Sequence, residues 1–142
     1  MADEALIRQL VFHEGIRLKP YRDTVGKLTI GVGRNLDDVG ISGEEARHLL
    51  ANDIARTEAA MIQALPWVTT LDPIRYRVLL DMAFNMGVGG LLGFKKMLAA
   101  AEAGDWAQTV LEMFDSKWSG QVGQRAHTLA KMIRTGEDPF QD

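Results

Sequence analysis

The sequence predicts an α+β fold that is mainly α-helical, with a small N-terminal β-hairpin lobe joined by a long helix to a C-terminal helical bundle. Apolar residues recur at helical spacing along most of the chain and alternate with other residues only between positions 19 and 35. At 142 residues and 46 % hydrophobic, the chain is long enough for one compact domain. We expect a β lobe at about residues 15–41, an inter-lobe helix at about 42–65, and a helical lobe at about 66–142 that includes the N-terminal helix.

Residues 3–14 are predicted to form the first helix. One face of it carries Ile7, Leu10, Val11 and, at its end, Glu14. Gly15 follows as a C-terminal cap. If apolar surface surrounds the Glu14 carboxyl, its protonated form is favoured. The alternative is a terminal glutamate in water, and position alone does not separate the two.

Residues 21–32 are predicted to form a β-hairpin with its turn at residues 25–27. The apolar positions of its second half are Leu28, Ile30 and Val32. The positions between them carry glycine or threonine, so one face is nearly bare. Such a face suits a ligand or a backbone segment that approaches closely.

The rest of the chain is predicted to be helical, apart from a polar loop at residues 35–41. Ser42 and Glu45 have the spacing of a capping box, which opens the helix at 42–65. Asp72 and the proline after it open a helix that is apolar on most faces and therefore buried. The remaining predicted segments are this helix at 74–86, a break at Gly87, Gly89 and Gly90, helices at 91–103, 105–114 and 124–134, and a loop at 116–123.

Composition excludes several classes of function. The net charge of -3 gives no general surface for nucleic acid. The modest basic face at residues 117–134 is equally well explained as a surface that binds an anionic polymer and as a solvated helix face. The chain has no cysteine, which excludes disulfides and thiol chemistry. No export signal and no run of about 18 apolar residues is visible, so stable membrane insertion is not expected.

Neither a cofactor nor a metal ion is predicted. The glycines at positions 31 and 33 lack the strand–helix–strand setting of a dinucleotide site. His13, His48 and His127 lie far apart, without the spacing of metal ligands.

Two carboxylates and a hydroxyl near the helix–hairpin junction suit hydrolysis of a glycosidic bond. This reaction needs an acid that protonates the leaving oxygen and a carboxylate that activates water or attacks the sugar. Glu14, in apolar surroundings, suits the acid, and Asp23, at a polar hairpin, suits the ionised partner. Thr29 is placed to hold a water against Asp23.

The order and spacing of residues around this junction are distinctive. The run contains Glu14-Gly15, Arg17-Leu18-Lys19, Tyr21-Arg22-Asp23-Thr24, Gly26, Thr29-Ile30-Gly31 and Gly33. Later segments are Met82-Ala83-Phe84-Asn85-Met86-Gly87, Gly93-Phe94, Gly104-Asp105-Trp106, Ser116-Lys117-Trp118, Gln124-Arg125-Ala126 and Arg134-Thr135-Gly136. Together these motifs closely resemble the phage-type lysozymes, the endolysins of the T-even phage lysozyme family, over nearly the whole chain.

The resemblance implies a lysozyme-like fold and a muramidase activity. Glu14 would be the general acid, while Asp23 and Thr29 would position and activate the attacking water. The implied substrate is the β-1,4 bond between N-acetylmuramic acid and N-acetylglucosamine in peptidoglycan glycan strands, cleaved with inversion. Inversion expects carboxyl groups roughly 6.5–9.5 Å apart.

Further residues are implicated as supporting or substrate-binding. Arg125 matches a family arginine that lies near the catalytic glutamate. Phe84 and Asn85 match cleft positions, although the family prototype has glutamine in place of Asn85. Tyr21, within the matched run, and Trp118, in a glycine-rich loop, are also expected to line or support the cleft.

Arg34 departs from the family, whose prototype has there a histidine paired with an aspartate that Asp53 matches. We therefore expect an Arg34–Asp53 ion pair. Residues 34–42 are also fewer than in the prototype, which predicts a smaller β lobe and fewer sugar subsites.

The resemblance also implies a monomer that is made in the host cytoplasm and reaches the periplasm and cell wall after holin-dependent release. Two alternatives to the muramidase remain. A lytic transglycosylase needs only the glutamate, and the presence of Asp23 and Thr29 argues against it. A non-catalytic peptidoglycan-binding module would have no need of the carboxylates.

Overall fold

The computed structural model describes residues 3–140. The chain divides into two compact units, of which the first ends at Leu49 and the second begins at Leu50. A small antiparallel sheet lies near the N-terminus, and most of the other described residues are helical. The predicted fold class, α+β and mainly α, is confirmed.

Helix α1, Glu4–Glu14, begins one residue after its predicted start and ends at the predicted cap, Gly15. Asp3 Oδ1 accepts a hydrogen bond from the Ala5 N–H at 2.9 Å. Gly15 ends the helix with a φ of 74°, which favours glycine. No side chain of α1 is buried.

Three short strands form the sheet: β1 (Arg17–Arg22), β2 (Leu28–Gly31) and β3 (Arg34–Asn35), paired antiparallel in that order. The predicted hairpin is confirmed, although β1 begins before the predicted start. The pairing sets Tyr21 opposite Thr29. Strand β3 was not predicted, because two residues are too few to show an alternating pattern.

Helix α2, Gly43–Ala64, begins with the predicted capping box. The Glu45 N–H donates to Ser42 Oγ at 3.1 Å, and the Ser42 N–H donates to Glu45 Oε1 at 2.9 Å. Arg34 adds a two-pronged ion pair to the Glu45 carboxylate at 2.9 and 2.8 Å, and it also donates to the Gly40 carbonyl at 3.0 Å. Hydrogen bonds from Arg34 and from the Ser42 amide lower the pKa of Glu45 to about 2.

The predicted partner of Arg34 was therefore wrong. Its planar guanidinium pairs with Glu45 through two parallel hydrogen bonds, the geometry that a carboxylate fits best. Asp53 accepts a hydrogen bond from Arg56 at 2.7 Å, within the same helix.

A 3-10 helix, Pro66–Thr70, and the long helix α3, Pro73–Leu92, follow. Asp72 caps α3 as predicted, its Oδ2 accepting from the Arg75 N–H at 3.1 Å. The predicted break is a kink instead, because Gly87 has φ 81° and ψ 156° and the helix then continues. As expected, α3 is central: it buries Val78, Leu79, Met82, Ala83 and Leu91.

The last helices are α4 (Lys95–Glu102), α5 (Trp106–Phe114), α6 (Lys117–Val122) and α7 (Gln124–Thr135). Two predictions here were wrong. Helix α4 begins later than residue 91, because α3 extends to Leu92. Residues 116–123 contain α6, whose helical signal is weakened by Gly120 within it and Gly123 directly after it. This short helix buries Trp118, and such packing stabilises helices whose own propensity is low.

The buried apolar side chains of the described residues lie in the second unit, between Met61 and Ile133. Within residues 3–140 no single helix has the length and apolar character needed to cross a membrane, although α3 and α4 together, across a 106° bend, do by length and composition.

Candidate active site

Glu14 is the last residue of α1, and its side chain is exposed. Its carboxyl lies beside Gly33, in the turn between β2 and β3: a methyl group on the Gly33 Cα would be 3.0 Å from Glu14 Oε2. Within the first unit the apolar face of α1 is exposed, and the apolar surroundings of the Glu14 carboxyl stay a prediction. Helical spacing predicts which residues share a face, but not what covers that face.

Asp23 is half-buried at the end of β1, where it holds the hairpin turn. Its Oδ1 accepts hydrogen bonds from the N–H groups of Val25 and Lys27, at 3.0 and 2.8 Å. Its own N–H donates to the Lys27 carbonyl at 2.9 Å. Oδ2 makes no hydrogen bond within residues 3–140. One carboxylate oxygen is thus anchored, and the other is available to a ligand.

Thr29 is buried in β2, with only 3 % of its surface exposed. Its hydroxyl donates to the Lys27 carbonyl at 2.9 Å. Because that hydroxyl has one proton, Thr29 Oγ1 can only accept a hydrogen bond from anything else. The backbone of Lys27 therefore connects Asp23 and Thr29: its N–H holds the carboxylate, and its carbonyl holds the hydroxyl.

Tyr21 lies on β1 beside this pair, opposite Thr29. The Arg17 guanidinium carbon stacks over its ring, 4.3 Å from the centroid. This cation–π contact holds the ring on the sheet. Glu14, Asp23, Thr29 and Tyr21 all belong to the first unit.

The other four predicted site residues belong to the second unit. Phe84, 42 % exposed, and Arg125 line a mainly apolar cavity of about 240 Å³. Arg125 is paired with Asp81: its Nε donates to Asp81 Oδ1 at 2.9 Å, and its Nη2 lies 2.7 Å from the same oxygen.

Asn85 and Trp118 form a pair of their own. The indole Nε1–H of Trp118 donates to Asn85 Oδ1 at 2.9 Å, and the indole packs edge-to-face against Phe94, with ring centroids 6.0 Å apart. Trp118 is only 6 % exposed, so within this unit it is a core residue. It lies in helix α6 and not in the predicted loop, and its support of a substrate cleft stays a prediction. Asn85 is exposed and keeps its amide N–H donors.

Two residues that support these side chains had no signal in the sequence, Lys27 and Asp81, whereas Gly33 belongs to the matched run. Lys27 acts through its backbone, which residue type does not encode. The partner of Asp81 lies 44 positions away. Among the described residues, no group of three or more potential ligand side chains could hold a metal ion.

The chain is similar in sequence to known proteins of one family. The sequence profile of the phage lysozyme family matches residues 11–135. The chain is 30 % identical to "Probable T4-type lysozyme 1" of Dictyostelium discoideum, over 89 % of this chain and 92 % of that protein. It is 33 % identical to the pre-baseplate central spike protein Gp5 of Enterobacteria phage T4, over 87 % of this chain but 26 % of that longer protein. It is also 31 % identical to the SAR-endolysin of Escherichia phage Mu, over 95 % of this chain and 83 % of that protein.

Proposed function

Because the chain belongs to the phage lysozyme family, we propose that it is a muramidase. It hydrolyses the β-1,4 bond between N-acetylmuramic acid and N-acetylglucosamine in bacterial peptidoglycan. The observation that carries this proposal is the shared anchor of Asp23 and Thr29 on the Lys27 backbone, in the same unit as the Glu14 carboxyl.

Glu14 acts as the general acid. It transfers its proton to the glycosidic oxygen as the bond from that oxygen to the anomeric carbon breaks. The carboxyl is exposed within the first unit, where a bound saccharide can reach it. Saccharide binding expels water from the carboxyl, and loss of water disfavours the ionised state.

Asp23 and Thr29 direct the attacking water. Since the Thr29 hydroxyl donates its own hydrogen bond to the Lys27 carbonyl, the water donates one hydrogen bond to Thr29 Oγ1 and the other to the free Oδ2 of Asp23. Its oxygen lone pair then points away from both groups, towards the anomeric carbon. As the new carbon–oxygen bond forms, Asp23 takes the proton from the water, so one proton enters at Asp23 and one leaves from Glu14.

A water held in this way attacks the face opposite to the leaving group and inverts the anomeric carbon. Relatives named as endolysins support a role in host-cell lysis as part of the same proposal. We also propose that the enzyme is a monomer and that it reaches the cell wall after holin-dependent release.

The test is digestion of purified peptidoglycan by wild type, Glu14→Gln and the matched control Glu4→Gln, which changes an exposed glutamate at the other end of α1. Glu14→Gln should fold normally and clear the suspension roughly 10²–10⁴-fold more slowly, while Glu4→Gln clears it at the wild-type rate. Wild-type products should carry a new reducing end of inverted configuration. A 1,6-anhydro product would establish a lytic transglycosylase, and binding without cleavage would establish a wall-binding module.

The Asp23→Asn variant separates the role of Asp23 as a base from its structural role in the hairpin turn. The asparagine amide oxygen still accepts the N–H bonds of Val25 and Lys27, so the hairpin should persist. The amide cannot take the proton from water, and kcat should fall by roughly 10² or more with little change in KM. Wild-type turnover by this variant would remove Asp23 from the mechanism.

A further inference from the structure

The Glu14 carboxyl occupies the space that a side chain at position 33 would take. A Cβ on Gly33 would lie 3.0 Å from Glu14 Oε2, 3.4 Å from Cδ and 3.7 Å from Cγ. Gly31, at the end of β2, has nearly the same φ, 72° against 71°, but a Cβ there would have nothing within 4 Å. Gly33 is therefore distinguished from Gly31 by the carboxyl that lies on it, and not by its φ.

We propose that Gly33 is a positioning residue for Glu14, and this proposal rests on the proposed muramidase function. The missing side chain lets the acid lie against the β2–β3 turn. That turn follows directly after β2, the strand that carries Thr29. The same short backbone segment therefore positions both the acid and the hydroxyl that holds the water.

The physical consequence of a methyl group here is displacement of the acid, and not loss of the fold. A separation of 3.0 Å between a carbon and a carboxylate oxygen is closer than ordinary van der Waals contact. The obstructed atoms are at the end of an exposed, flexible side chain, which relieves the crowding by rotating away. The carboxyl must move by only a few tenths of an ångström; since about 1 Å at a reacting group costs on the order of 10²-fold in rate, we expect a loss of roughly 10-fold.

The experiment compares Gly33→Ala with the matched control Gly31→Ala. Both force alanine to a positive φ, so both should lower the Tm by a similar amount. Only Gly33→Ala meets the Glu14 carboxyl. On soluble, uncrosslinked glycan fragments it should lower kcat roughly 10-fold with KM nearly unchanged, whereas Gly31→Ala should keep kcat within about threefold of wild type.

Two NMR measurements make the test independent of catalysis. In the wild type, a nuclear Overhauser effect should join the Gly33 Hα and Glu14 Hγ protons. The ¹³C resonance of the Glu14 carboxyl should shift in Gly33→Ala and stay in place in Gly31→Ala. An inactive wild type with this contact intact would refute the muramidase proposal and leave the contact established.

Three results would overturn the positioning role. These are equal kcat losses in the two variants, a loss confined to KM, and a wild-type spectrum without the Overhauser effect. The last measurement decides the question even if Gly33→Ala does not fold.

Discussion

Alanine substitutions at Gly87 and Gly89 should change stability in opposite directions, although the two residues are two positions apart in one helix. Gly87 has φ 81° and ψ 156° inside α3, a conformation essentially reserved for glycine. Gly89 has no such positive φ. A Cβ at either position would meet nothing within 4 Å, so neither substitution creates a collision.

The magnitudes follow from the backbone alone. Alanine at Gly87 costs about 1–3 kcal/mol of strain, offset by about 0.4–1 kcal/mol from the lower entropy of the unfolded chain. The net loss is about 1–2 kcal/mol. Alanine at Gly89 carries no strain and should gain about 0.5–1 kcal/mol from higher helix propensity.

Thermal and urea unfolding followed by circular dichroism measures both effects. For a chain of this size, 1 kcal/mol corresponds to a shift in Tm of roughly 3–4 °C. Gly87→Ala should therefore unfold roughly 3–8 °C below wild type and Gly89→Ala a few degrees above it. Equal stability of Gly87→Ala and wild type, or losses of the same size in both variants, would refute the assignment of the kink to the conformation of Gly87.

Three further predictions follow from single contacts. The Arg34 ion pair and the backbone hydrogen bond lower the pKa of Glu45 to about 2, from an ordinary 4.5. The stability advantage of wild type over Glu45→Gln should therefore be full above about pH 5 and shrink as the pH falls towards 2. Thermal unfolding at pH 6, 4 and 2 measures this difference, and a constant difference would contradict the prediction. Trp118→Phe loses both buried indole volume and the hydrogen bond to Asn85, so it should lower the free energy of unfolding in urea by about 2 kcal/mol. Asn85→Ala loses only the hydrogen bond and should lower it clearly less. The reverse order would show that the hydrogen bond, and not the packing, matters. Thr29→Val keeps the shape of the buried side chain but removes both the water's acceptor and the hydrogen bond to the Lys27 carbonyl. Its kcat should fall roughly 10²-fold while stability falls by only about 1 kcal/mol, and wild-type kcat would exclude the hydroxyl from the mechanism.

The helix caps were predictable because both partners lie within three residues of each other. Ser42 with Glu45 and Asp72 with the amide of Arg75 are formed as expected, and Asp105 caps α5 through the amide of Gln108 in the same way. Such bonds depend only on local sequence order. The β-hairpin was predictable for the same reason, since alternation and turn residues lie within one short segment.

Short elements and burial were not predictable in this way. Strand β3 and helix α6 hold two and six residues, fewer than a periodic pattern needs. Trp118 was expected in a loop but lies in α6. Its burial was not predictable because it depends on Phe94 and Asn85, which are distant in the chain.

The identities of Glu14, Asp23 and Thr29 were available from the sequence through their order and spacing, and their catalytic roles remain a proposal. What holds them was decided only by the folded chain. The contact of Glu14 with Gly33 spans nineteen positions, and the pair of Arg34 with Glu45 spans eleven.

The sequence by itself determined the class of fold, the ends of most helices and the candidate chemical groups, because these depend on residues close together in the chain. The tertiary structure alone decided which partner each of those groups has. A side chain such as that of Arg34 has several acceptable carboxylates in the sequence, and only chain folding brings one of them within hydrogen-bonding distance.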